Sequence, residues 1–217
     1  MNQVHPLKIK TMKKNLLAAL LICISMVAAA QSKYTLADVR NARSMIWFGL
    51  DFSQARFYGP FEEKAKVKDV TIPTWNGMFV TEKGMLGPGN DLKKLLGMSY
   101  VFIDLSIVSE RNNAIEVEDL FGNTDKEKPS WNEDKVIKMV KKFEAKEKDG
   151  IGLVMIVESY DKTTEMATIW VTYFDPAKNE VIRTRKYFGK AGGPGQTKHW
   201  NTAVVNILNE LRKNSIY

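Results

Sequence analysis

Cysteine and histidine are nearly missing from this chain: one and two residues in 217. A single cysteine closes no disulfide within the chain. It is Cys23, inside an apolar run near the amino terminus, so a chain that loses this run also loses its only thiol nucleophile. His5 and His199 leave Cys/His zinc sites without the three or four clustered ligands they need. No G-x-S-x-G elbow offers His199 a serine partner, and no D-x-D-x-D-G run builds a calcium loop. The sequence therefore assigns no catalytic residue, no metal and no cofactor.

Acid is absent from residues 1–30, which hold Lys8, Lys10, Lys13 and Lys14. Lys13 and Lys14 precede an apolar run from Leu16 to Ala30, broken only by Ser25 and ending in three alanines. A basic start, a short apolar stretch and small residues at its end describe a secretory signal peptide over 1–30, with Gln31 as the first mature residue. Met12 offers a second start, since residues 1–11 add nothing to this pattern. The run is shorter than the ~20 residues that span a bilayer as a helix, so the cleaved chain is not expected to cross a membrane. Cys23 follows Ile22 inside the run rather than a small residue at the cleavage point, which argues against a lipid anchor. Removing the leader takes Lys+Arg from 32 to 28 against 25 Asp+Glu, so the net charge falls from +7 to +3. That is too small a basic footprint for nucleic acid.

What remains reads as one α/β (α+β) domain over 31–217, a mixed five-stranded sheet with about three principal helices. A short helix from Leu36 precedes a strand over 45–57, apolar on both faces through Phe52. Pro73 opens a helix in which Trp75, Met78 and Phe79 share a face with Glu82. Residues 84–90 form a loop, Asp91 caps a short helix through Leu96, and 100–109 reads as a strand. A polar stretch over 110–129 is long for a loop. Ser130 and Glu133 have capping-box spacing for a helix that Asp149-Gly150 stops. Strands at 151–159, 167–175 and 181–188 form a meander, its second turn at 175–179. The third alternates Ile182, Thr184 and Lys186 against Arg183, Arg185 and Tyr187, as an edge blunted by basic residues does. Trp200, Val204, Leu208 and Leu211 mark a last amphipathic helix.

The candidate sites are few. The stretch GKAGGPGQTKHW, 189–200, packs glycines and lysines before that helix. A phosphate loop needs its second glycine at position 194, which is Pro194, and then Lys-Ser/Thr, where Gln196-Thr197 stands. A dinucleotide fingerprint needs an acid at a strand end about 20 residues on, and Glu210 falls within the last helix. Two readings stay open: an anion site on Lys190, Gly192, Gly193, Thr197 and Lys198 at a helix N-terminus, or a turn whose glycines supply positive φ. Glu116, Glu118 and Asp119 read as a solvated acidic loop, and Asp104 and Glu158 as outward-facing strand positions. A pocket framed by the two loops requires Asp104, Glu118 and His199 to converge. Most aromatics, Trp47, Phe48, Trp75, Phe79, Trp170, Tyr173, Phe174 and Trp200, fit core faces. Trp131 stands apart beside the long loop and is expected to be exposed; with Arg183 and Arg185 it is a candidate partner contact.

The stretch GIGLVMIVE, ATIWVTYFD, VIRTRKYFGKAGGPG and HW, residues 150 to 205, resembles small exported proteins of uncharacterised function from Gram-negative bacteria. The order of strands and helices is more loosely similar to the amino-terminal domain of TolB and the periplasmic part of curli-secretion lipoproteins. The resemblance implies a non-enzymatic envelope protein, periplasmic or secreted, that works through an envelope protein partner. It carries over no functional residue, and the lipid-bearing cysteine of those lipoproteins has no counterpart here. The other reading is a periplasmic small-molecule- or anion-binding protein, or a hydrolase, with its site near 189–198.

Overall fold

The first strand, β1 (Ser44–Asp51), is buried along all but its first residue, and the rest of the fold is arranged around it. The structure is a computed structural model that describes residues 32–61, 64–80, 91–122, 128 and 130–213. The leader, the cleavage point before Gln31, Glu82, the loop 84–90 and part of the 110–129 stretch lie outside the described residues.

A helix α1 (Leu36–Asn41), capped by Thr35 and Asp38 in a reciprocal box, leads into β1. After β1 come β2 (Arg56–Tyr58), a helix α2 running from Lys64 to Gly77, α3 (Leu92–Leu96) and β3 (Tyr100–Ile103). Then follow α4 (Ser106–Asn113), a 3-10 turn (Val117–Leu120), α5 (Glu133–Val140), β4 (Gly152–Asp161), β5 (Met166–Asp175), β6 (Glu180–Lys190) and α6 (Gln196–Lys213). The sheet order is β3-β1-β4-β5-β6. β1 runs parallel to β3 and β4, β5 is antiparallel to both neighbours, and β2 pairs parallel with β4 beyond the end of β1. The mixed α/β sheet and the meander-then-helix ending stand as read, with six strands among the described residues instead of five. Among the described residues no helix is long and apolar enough to cross a membrane.

Two apolar layers cover the sheet. On one face α2, α3 and α6 pack through Trp75, Leu96 and Trp200 against Trp47, Leu153 and Val171. On the other, α4 and α5 pack through Val108, Val136 and Val140 against Phe48, Val154 and Phe174. The first layer is stitched by rings: Tyr160 stacks on Trp200 at 4.4 Å and on Phe57 at 5.5 Å, and Phe61 stacks on Phe57 and Trp200 at 5.0 and 5.6 Å.

Four boundaries differ from the sequence reading, each for a local reason. The expected strand 45–57 breaks at Phe52–Ala55, where Ala55 N–H bonds the Phe52 carbonyl in a tight turn. The helix expected from Pro73 begins at Lys64. A π-helical turn, Val67–Thr71, closed by Ile72 N–H on the Val67 carbonyl, precedes Pro73, which lacks an N–H of its own. Thr74 Oγ1 donates to the Val70 carbonyl there at 2.7 Å. The expected strand 100–109 stops at Ile103 because Asp104 Oδ1 accepts from Ser106 N–H and Oγ, starting α4 in what was read as strand and loop. Asn132, not Ser130, caps α5 by accepting from Lys135 N–H at 3.1 Å, and α5 ends at Val140, well short of Gly150.

Among the described residues the far half of β1 has no strand on its β3 side, since β3 ends opposite Trp47. Two buried asparagines supply the missing ladder. Asn76 Oδ1 accepts from Leu50 N–H at 2.7 Å and Asn112 Oδ1 accepts from Phe52 N–H at 2.7 Å, while both amides donate to the Leu50 carbonyl. Gly49 makes this approach possible: it sits at φ +94°, and a Cβ there would lie 2.5 Å from Asn76 Oδ1. Asn112→Leu orphans a buried N–H, and an unpaired buried donor costs about 1–3 kcal/mol. We expect a loss of about 2 kcal/mol in urea unfolding; an unchanged midpoint would contradict this bracing role.

Candidate functional site: a cationic groove at the carboxyl ends of the parallel strands

The chain leaves β1 toward the layer of α2 and α3, and leaves β3 toward the layer of α4 and α5. In the sheet β1 connects onward to β3 on one side and β4 connects to β5 on the other, so the strand order reverses between β1 and β4, and open α/β sheets leave a crevice at such carboxyl ends. Two adjoining cavities of about 300 and 350 Å³ lie there, sharing Arg56 and Trp131.

The floor is an ion pair. β4 and β5 fall out of step between Val157 and Ser159, leaving Glu158 as the extra residue of a bulge. Its side chain is buried toward the α5 layer, where its carboxylate accepts Trp131 N–H at 3.2 Å and Trp170 Nε1–H at 2.7 Å. Lys186 Nζ lies 3.0 Å from Glu158 Oε2, donates to Ser130 Oγ at 2.9 Å, and sits 5.1 Å from the Trp170 ring centre. A second pair, Lys128 with Asp161, borders the cavity. Burial pushes the Asp161 carboxyl up, but the bonds from Lys128, Thr163 N–H and Thr164 outweigh it and hold it below its ordinary value.

The wall carries two further cations. Lys135, on the first turn of α5, places Nζ 3.8 Å from the Trp131 ring centre. Burial and then the charge of Arg56 lower its pKa, against an opposing pull from Glu158. Arg56 donates to the Ala55 carbonyl. Among the described residues, no carboxylate lies within ion-pair distance of either cation, although Asp119 lines the same cavity. Ser53 and Gln54 add polar groups from the turn between β1 and β2. Arg111 fixes that turn, bonding Asp51 Oδ2 at 2.9 Å and Ser53 Oγ at 2.7 Å.

This geometry corrects two expectations. Trp131 is not an exposed contact: only 8% of its surface is open, because its backbone is tied to Glu158 and Lys135 covers its ring. Glu158 does not face outward but is buried with its cation. Arg183 and Arg185 are exposed on β6, which is an edge strand as read.

The glycine loop gathers less than its sequence suggests. Gly192 N–H bonds the His199 carbonyl and His199 N–H bonds the Gly195 carbonyl, so these amides serve the turn. Gly193 and Gly195 adopt positive φ, +96° and +71°. Thr197 and Lys198 line a hollow with Met78 and Pro194, but Lys190, Gly192 and Gly193 do not line it. Lys190 is exposed at the end of β6, its carbonyl accepting from Asn206. Nor do Asp104, Glu118 and His199 share a neighbourhood. Asp104 serves Ser106 and Glu147 N–H, Glu118 pairs with Lys64 at 2.8 Å, and His199 sits edge-on to Trp200. Among the described residues no group of three or more His, Cys, Asp or Glu is placed to hold a metal ion.

No family model, no curated protein and no solved structure matches this chain.

Proposed function

We propose that this chain is an exported binding protein, periplasmic or secreted, whose groove at the carboxyl ends of β1 and β4 holds a small organic anion. The signal-like leader supports export. The observation that carries the ligand class is the pair Arg56 and Lys135, which border adjoining cavities beside the indole of Trp131 and have no carboxylate partner among the described residues. A guanidinium suits a carboxylate or phosphate, and the part of the Trp131 indole that lines both cavities leaves an apolar wall for the rest of the same molecule. Cavities of this size hold a small organic molecule.

Binding fits the groove better than catalysis. Of the buried carboxylates there, Glu158 already accepts from Trp131, Trp170 and Lys186 while Asp161 is held by Lys128, and Lys186 already serves Glu158 and Ser130. None is held ready to move a substrate's proton. An envelope partner that receives the loaded protein belongs to the same reading.

Phenyl phosphate is the probe. In titration calorimetry the Arg56→Ala, Lys135→Ala double variant should bind at least about 100-fold more weakly than the unaltered protein, since each charged hydrogen bond contributes about 1.5–3 kcal/mol. Equal affinity, or no binding by the unaltered protein, would refute the reading. The pH dependence has a fixed sign. Lys135 is charged below its lowered pKa, and its folded state is penalised there relative to the unfolded chain. A bound anion favours the ammonium, so binding takes up protons between the lowered and ordinary values and weakens as the pH rises through that window. The processed protein should begin at Gln31 by mass spectrometry; a start elsewhere would remove the leader from the argument.

A further inference from the structure

The two edges of the sheet differ in chemistry. β6 exposes Arg183, Arg185 and Lys190, so two copies meeting there would oppose like charges. β3 has no such guard. From Leu96 to Ile103 the chain carries no charged residue, and Tyr100, Phe102 and Ile103 stand 57, 49 and 46% exposed. Among the described residues β3 pairs only with β1. Tyr100 N–H donates inward to the Arg43 carbonyl and Asp104 N–H to the Trp47 carbonyl. The two-residue alternation of a strand then aims the N–H and C=O groups of Val101 and Ile103 at the open side. Folded proteins protect an edge of this kind with charge, proline or a bulge; none lies within β3.

We propose that β3 pairs antiparallel with β3 of a second copy across a two-fold axis at Phe102. In this register Val101 and the partner's Ile103 exchange both backbone bonds, as do Ile103 and the partner's Val101. Phe102 meets the partner's Phe102 in the close, non-hydrogen-bonded position, where facing Cα atoms lie about 4.5 Å apart. Aromatic pairs opposite one another stabilise such a ladder. The contact is isologous, so it closes at two copies rather than growing. Four residues per copy bury less than the roughly 1,600 Å² of a standard interface, so the dimer is weak and concentration-dependent.

Sedimentation velocity on the protein as the cell leaves it, from about 10 to about 500 µM, covers the range in which a small interface shows itself. Phe102→Lys sets two cations against each other on the axis. Val101→Pro removes only an outward N–H, which an edge strand tolerates. The unaltered protein should shift from monomer to dimer across the series. Both variants should keep their circular dichroism and lose at least about 10-fold in the dimerisation constant. Should Val101→Pro not fold, Phe102→Lys carries the comparison. An unaltered protein that stays monomeric throughout, or folded variants that dimerise equally well, would overturn the proposal.

Discussion

Trp200→Ala will lower the free energy of unfolding by about 3–5 kcal/mol, the usual cost of truncating a buried tryptophan. Trp200 is wholly buried and stacks at once on Tyr160, from β4, and on Phe61, which follows β2. Its removal deletes the main contact by which α6 grips the sheet beside the glycine loop. The cavity cannot close easily, because Tyr160 is held on its other side by Phe57 and at its edge by Phe52 and Trp75. Urea unfolding followed by far-UV circular dichroism measures the loss. A change under about 1 kcal/mol would mean that α6 docks by other contacts.

Lys186→Met will cost about 3 kcal/mol, because removing one partner strands the other charge in the interior. The low end of the usual range applies, since 20% of the Lys186 side chain reaches water against 7% for Glu158. In the variant the Glu158 carboxylate keeps only the N–H groups of Trp131 and Trp170. The double variant Lys186→Met, Glu158→Gln should recover much of the loss, since replacing both members of a buried pair is often close to neutral. A single variant that costs under about 1 kcal/mol would mark the pair as no more than a surface contact.

The elements legible in the sequence are those whose reasons lie close together along the chain. The meander shows in the alternation of Ile182, Thr184 and Lys186, and α6 in the spacing of Trp200, Val204, Leu208 and Leu211; all four helix residues are buried. The misplaced boundaries depend on partners far away in sequence. β1 reads as continuing into 52–57 because the stretch alternates weakly, with Phe52 and Phe57 as core residues, yet it is Asn112, sixty residues on, that takes up Phe52 N–H. The groove was legible only in part. Lys186 shares a face with Thr184, which is buried, and a lysine on such a face needs a counter-ion. Glu158 is an acid of the apolar strand β4, which lies beyond β5 from Lys186. Pattern alone did not reveal that a bulge turns Glu158 inward, or that Trp131 closes over it. The glycine loop drew notice through composition, while its amides are partly spent on its own turn.

The most direct measurement is an amide, indole and guanidinium N–H chemical-shift titration with phenyl phosphate. The account predicts saturable shifts at Trp131, Lys135 and the Arg56 side chain, with Gly192, Gly193 and Thr197 unmoved. Shifts centred on residues 192–198, or none at the groove, would contradict it.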